Sequence, residues 1–93
     1  SSLSVRRAWY GGDTSLLSVI VENKSDAAFL IQNKSPYTLH ADHDVFTIEP
    51  QQTTRLDIKT LERLESISLE FEVLNAVTAP NTHLMKTLSL VID

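Results

Sequence analysis

Between Ser66 and Val73 the chain alternates without a break: Ile67, Leu69, Phe71 and Val73 are apolar, and Ser66, Ser68, Glu70 and Glu72 are polar. Successive side chains on a β-strand project to opposite faces, so this period of two buries one face and leaves the other in water. The spacing of an amphipathic helix finds no consistent apolar face in the same stretch. The alternation recurs, with less contrast, at Leu3, Val5 and Trp9; Leu17, Val19 and Val21; Phe29 and Ile31; Tyr37 and Leu39; Phe46 and Ile48; Leu56 and Ile58; and Leu84, Leu88, Leu90 and Ile92. It predicts about eight short strands.

The segments between these runs carry turn chemistry. Gly11-Gly12-Asp13, Asn23-Lys24-Ser25-Asp26, Asn33-Lys34-Ser35-Pro36, Asp42-His43-Asp44, Pro50-Gln51-Gln52 and the stretch from Asn75 to Asn81 supply residues that tolerate positive φ or break a ladder. From Thr60 to Leu64 a capping-type threonine and leucines at 61 and 64 predict a single helical turn. Strands spaced near ten residues apart, with no long helical pattern, point to two packed antiparallel sheets and not to a βαβ fold.

Composition bounds the rest. A 93-residue chain is the size of one domain and large enough for an apolar core without metal or disulfide support. We read residues 1–93 as one β-sandwich domain, excised from a longer protein because the chain opens on Ser1 without an initiator methionine or a leader. The apolar runs fall short of the roughly 20 residues that span a bilayer, so no direct membrane insertion is expected. A net charge of −4 repels a phosphate backbone, which argues against nucleic acid as a partner. A chain without cysteine has no disulfide framework or thiolate zinc site. It is compatible with any compartment, and the reading leans to an extracytoplasmic one.

Leu17-x-Val19-x-Val21-x-Asn23-x-Ser25, Phe29-x-Ile31, Phe46-x-Ile48-x-Pro50 and Leu56-x-Ile58 together resemble the PapD-like branch of immunoglobulin-like domains. The resemblance covers about the first two thirds of the chain. It implies an all-β fold, an immunoglobulin-like antiparallel β-sandwich of seven to eight strands, with at most a short helical turn near 60–64. Antibody-type domains flank a central tryptophan with a cysteine pair, whereas this chain has no cysteine and carries Trp9 near its start. The strand tyrosine usual in fibronectin-like domains is also missing.

Chemistry-bearing residues are sparse. His40, Asp42, His43 and Asp44 are of metal-ligand type, but on extended backbone His43 faces away from the other three, and aspartates are ordinary turn formers. No metal or other cofactor is assigned. There is no nucleophile elbow, phosphate loop or catalytic carboxylate pair, and Glu70 and Glu72 lie on a wet strand face. No enzyme activity is expected. Asn23-Lys24-Ser25 and Asn33-Lys34-Ser35 satisfy the glycosylation triplet but are already explained as turns.

Arg6, Arg7, Trp9, Tyr10 and Tyr37 form the candidate binding set, because amphipathic aromatics beside arginines make contact surfaces. Trp9 and Tyr10, as neighbours, must point to opposite faces. The reading is therefore a non-catalytic structural or protein-binding module of a larger protein. Its partner is another protein or a neighbouring domain of the same chain, with pairing along an edge strand as one mode. Two alternatives stand beside it: a carbohydrate-binding or accessory module of an extracellular glycan-processing enzyme, and a periplasmic chaperone-like or fibre-subunit domain.

Overall fold

The computed structural model describes residues 2–39, 44–78 and 82–93, and His40, Asp42 and His43 of the possible metal cluster lie outside them. Among the described residues seven strands follow one another: β1 (Leu3–Tyr10), β2 (Leu16–Asn23), β3 (Phe29–Asn33), β4 (Val45–Ile48), β5 (Thr53–Lys59), β6 (Ser66–Thr78) and β7 (Thr82–Val91). They form a three-stranded sheet in the order β1-β2-β5 and a four-stranded sheet in the order β4-β3-β6-β7, with every pairing antiparallel. The fourth strand thus joins the third instead of the fifth, unlike the constant-type immunoglobulin arrangement.

The two sheets bury the residues that the alternation selects. Leu17, Val19 and Val21 of β2, Leu56 and Ile58 of β5, and Ile67, Leu69, Phe71 and Val73 of β6 all lie in one core with Leu3, Ile31 and Ile48. Phe46 meets Phe71 edge-on, with ring centroids 5.7 Å apart, the arrangement that opposed ring quadrupoles favour. Leu84, Leu88, Leu90 and Ile92 are only half-buried. The first three belong to β7, which lies at the margin of the wider sheet beside β1 of the narrower one.

Four expectations need correction. Tyr37 and Leu39 do not form an eighth strand, because the chain bends there and only Leu39 bridges to Ile58 of β5. The residues from Thr60 to Leu64 make bends and no helical turn, since Thr60 is buried and bonded to Tyr10 and so does not cap a helix. Asn75 is no turn residue: β6 continues to Thr78, and the register shift between Val73 and Val77 places the Asn75 amide against β3. There it accepts from the Leu30 N–H at 3.0 Å and donates to the Ala28 carbonyl at 2.8 Å.

The fourth correction concerns β1. The partner register slips by one between Val5 and Arg7, so Arg6 is an extra residue on a bulge. Beyond a bulge the parity of a strand inverts. Ala8, and not Trp9, therefore continues the buried row begun by Leu3, and Trp9 turns to the outer face of its sheet.

Asn23 ends β2 and Asn33 ends β3, and the same local structure follows each. The Asn23 side-chain oxygen accepts from the Ser25 N–H at 2.9 Å while its amide donates to the Ala27 carbonyl at 2.8 Å. In the second turn the Asn33 oxygen accepts from the Ser35 N–H at 3.0 Å, and the amide donates to the Tyr37 carbonyl at 2.9 Å. Asn23 also donates to the Ile48 carbonyl at 2.9 Å, which joins β2 of one sheet to β4 of the other. Both asparagines are buried, so in the folded chain neither nitrogen is open to glycosylation. Asp44 closes the second turn, its carbonyl accepting from the Asn33 N–H at 2.7 Å.

Gln51 alone among the described non-glycine residues has positive φ, at 62°. Its side-chain amide donates to the carbonyls of Lys24 at 3.1 Å and Ser25 at 2.9 Å, tying the β4–β5 turn onto the Asn23 turn. Asn23→Ala strands buried backbone acceptors and should cost about 2–4 kcal/mol, whereas Asn33→Ala should cost about 1–2 kcal/mol because its amide bridges no sheet pair. Urea unfolding of the two variants measures the difference; equal costs would show that the link between the sheets contributes nothing.

Candidate functional site

The bulge at Arg6 places residues of all three strands side by side on the outer face of the three-stranded sheet. Arg7 pairs with Ile20 across β2 and Ile20 pairs with Arg55 on β5, while one step along Trp9 pairs with Ser18 and Ser18 with Asp57. The Arg7 guanidinium carbon lies 4.5 Å from the Trp9 ring centroid, and that of Arg55 lies 5.4 Å away. Both distances are within the range in which a cation is drawn to the ring quadrupole.

Each guanidinium is held from a second side. Arg55 donates to the Ser18 hydroxyl at 2.9 Å and to Asp57 at 3.2 Å, and the Ser18 hydroxyl donates to the same Asp57 oxygen at 2.9 Å. Arg7 donates to Asp93 at 3.4 Å. Ser18 is only 5% exposed although its side chain is on the outer face, which places Trp9 and Arg55 over it. Arg6, on the bulge itself, approaches Glu22 at 3.9 Å. These exposed ion pairs contribute little to stability in water. Their effect is to fix side-chain directions, so that the patch presents an aromatic ring beside two cations at no net charge.

Of the five residues proposed from the sequence, Arg7 and Trp9 meet in this patch, and Arg6 flanks it on the bulge. Tyr10 does not belong to it. After the bulge Tyr10 faces inward, and its hydroxyl, 2.9 Å from Thr60 Oγ1, accepts from the Leu64 N–H at 3.1 Å and approaches the Glu62 carbonyl at 3.4 Å. A single phenol thus fastens the crossover between β5 and β6. This is the task of the missing strand tyrosine, carried out from the first strand.

Tyr37 is separate again. It is half-buried against the core and stands between two open depressions at one end of the sandwich. The larger, about 500 Å³, is lined by Pro36, Lys59, Leu61 and Leu64 among others. Leu61 beside it is fully exposed. Asp44 is exposed and bonded to Asn33, and the described residues hold no group of three metal-ligating side chains.

Sequence reasoning missed Arg55, Ser18 and Asp57. The signal was there in part, since burial of Leu56 and Ile58 obliges Arg55 and Asp57 to face outward. That β5 neighbours β2, and so delivers them to Trp9, is a long-range pairing that local pattern does not carry. Tyr10→Phe removes the crossover's fastening and should cost about 1–2 kcal/mol in thermal or urea unfolding, while Trp9→Ala should leave the unfolding midpoint nearly unchanged. The reverse order would show that the patch is structural.

The structure is similar to a crystal structure of a two-domain protein from Bacteroides vulgatus ATCC 8482 that contains a predicted PHP-like metal-dependent phosphoesterase, with a TM-score of 0.70 and 16% identity. The match covers 96% of this chain and 25% of that one, so the chain spans about a quarter of that protein's length. At this identity the likeness is one of fold. Among curated proteins none matches the sequence. A family profile described as an Ig-like domain matches residues 3–89, nearly the whole β-sandwich, and the chain belongs to that Ig-like domain family.

Proposed function

We propose that this Ig-like domain is a non-catalytic module of a larger protein that binds a protein partner, or a neighbouring domain, through the Arg7–Trp9–Arg55 face of its three-stranded sheet. The observation that carries the reading is the Trp9 ring with two guanidinium groups over it, at 4.5 and 5.4 Å from its centroid, each anchored by a carboxylate. Tryptophan and arginine are the residues over-represented where a few side chains supply most of an interface's binding energy. Pre-ordering them lowers the conformational entropy that binding must overcome. The likeness to a quarter of a two-domain protein supports the modular part of the reading. The Asn23-x-Ser25 turn closing β2 supports a place in the PapD-like branch.

The described surface offers no nucleophile with a base beside it and no pair of carboxylates in a shielded cleft, so the reading invokes no reaction. Stacking a sugar would require a free aromatic face, yet Arg7 lies over the Trp9 ring and Tyr37 is elsewhere in the fold. Protein contact accounts better for this ring than glycan contact does.

The experiment places a photo-crosslinking amino acid at Ile20, between Arg7 and Arg55, in the intact parent protein. Crosslinks to a defined polypeptide segment are expected. A Trp9→Ala, Arg55→Ala double variant that keeps its fold should weaken that contact at least tenfold. Absence of any polypeptide crosslink, or glycan binding abolished by Trp9→Ala alone, would overturn the reading.

A further inference from the structure

The ladder between β6 and β7 keeps one register from Ser66↔Val91 to Val73↔Leu84. The Ile92 N–H donates to the Glu65 carbonyl, whereas the next amide, Asp93, turns the other way and donates to Ala8 of β1. In an antiparallel strand the backbone groups alternate in this way from residue to residue. Hence the even-numbered residues from Leu84 to Leu90 direct their N–H and C=O groups at β6, and Met85, Thr87, Ser89 and Val91 direct theirs away from it.

Other sheet margins are shortened or crossed. β4 has four residues, and β5 is met at Ile58 and Lys59 by Leu39 and the Thr38 carbonyl. β1 is met at Ala8 by Asp93. Among the described residues the long margin left is β7 from Met85 to Ser89, its end beyond Leu90 lying beside β1, and a row of outward amides and carbonyls spaced two residues apart is matched by one kind of ligand, another extended polypeptide.

Lys86 decides which polypeptide. It stands on the inner face of β7 opposite Phe71, half-buried in the row that contains Leu84, Leu88 and Leu90, and it has no ion pair among the described residues. Toward an added strand, an even-numbered residue occupies a non-hydrogen-bonded position, where facing side chains come closest. A second copy of this chain pairing through β7 would match odd residues with odd and even with even. Lys86 would then face itself, Leu84, Leu88, Leu90 or Ile92, and never a carboxylate. An inward lysine is also a known guard against such self-pairing.

We propose that β7 receives an extended segment of a partner protein in which apolar side chains alternate and an acidic residue is seated opposite Lys86. The apolar positions cover the half-buried leucines, and the acid neutralises the lysine as water is excluded. The inference rests on the reading of the domain as a protein-binding module but uses a different sheet from the Trp9 face.

The test adds end-capped nonapeptides to the 93-residue chain and follows backbone amide resonances and hydrogen exchange. One peptide alternates threonine with valine and carries one central glutamate in the valine row; the other carries lysine there. Binding of the glutamate peptide should shift and protect the amides of Met85, Thr87 and Ser89, with an affinity about five- to tenfold above that of the lysine peptide. Lys86→Glu should reverse the preference. Ser89→Pro removes an outward donor while sparing the β6 ladder, so it should abolish binding without unfolding the domain. Trp9→Ala should leave peptide binding unchanged, which separates failure here from failure of the Trp9 face. The proposal is overturned if neither peptide protects those amides, if both bind equally, or if sedimentation shows that the same amides are protected by self-association.

Discussion

A primary amide buried between two β-sheets needs acceptors for its N–H groups and a donor for its oxygen, because an unmatched one costs more than the bond it replaces. Asn23 meets that demand with Ser25, Ala27 and Ile48, and in doing so fixes the end of β2, the shape of the turn after it and the position of β4 across the core. Gln51 adds to the constraint by accepting a left-handed backbone and fastening its own turn to the same place. Removing the amide would leave apolar surfaces that still attract each other, but the bond that sets β2 of one sheet against β4 of the other would be lost.

The core was legible where alternation was strict. Ile67 to Val73 reads as a strand with one dry face because every inward position is apolar and every outward one polar, and the structure buries all four apolar residues. The Asn-Lys-Ser turns were legible for a related reason, since an asparagine at the end of a strand shapes its own turn by accepting from the backbone two residues on. Trp9 was misplaced because one inserted residue inverts parity and a bulge has no marker in local composition. Thr60 was misread because its hydroxyl faces a tyrosine fifty positions earlier in the chain instead of a helix of its own.

The same contrast applies to the surface. Arg7 and Trp9 could be proposed from their proximity along the chain, but the ring acquires its setting only when β5 delivers Arg55 and Asp57 across β2. The bulge thus has two outcomes. It turns a tryptophan out to the solvent side, and it brings the neighbouring tyrosine inward to hold the crossover that sequence reading took for a helical turn. One residue of insertion separates a contact residue from a structural one.

The burial of Asn23 and Asn33 bears on when, as well as how, this chain can mature. Each nitrogen that a glycan-transferring enzyme would modify is the one the folded turn uses to bond a carbonyl. Modification and folding therefore compete for the same atom. In a secretory pathway that glycosylates nascent chains, a molecule modified at Asn23 before β4 is in place would carry a sugar where the Ile48 carbonyl must come, and could not complete the β-sandwich.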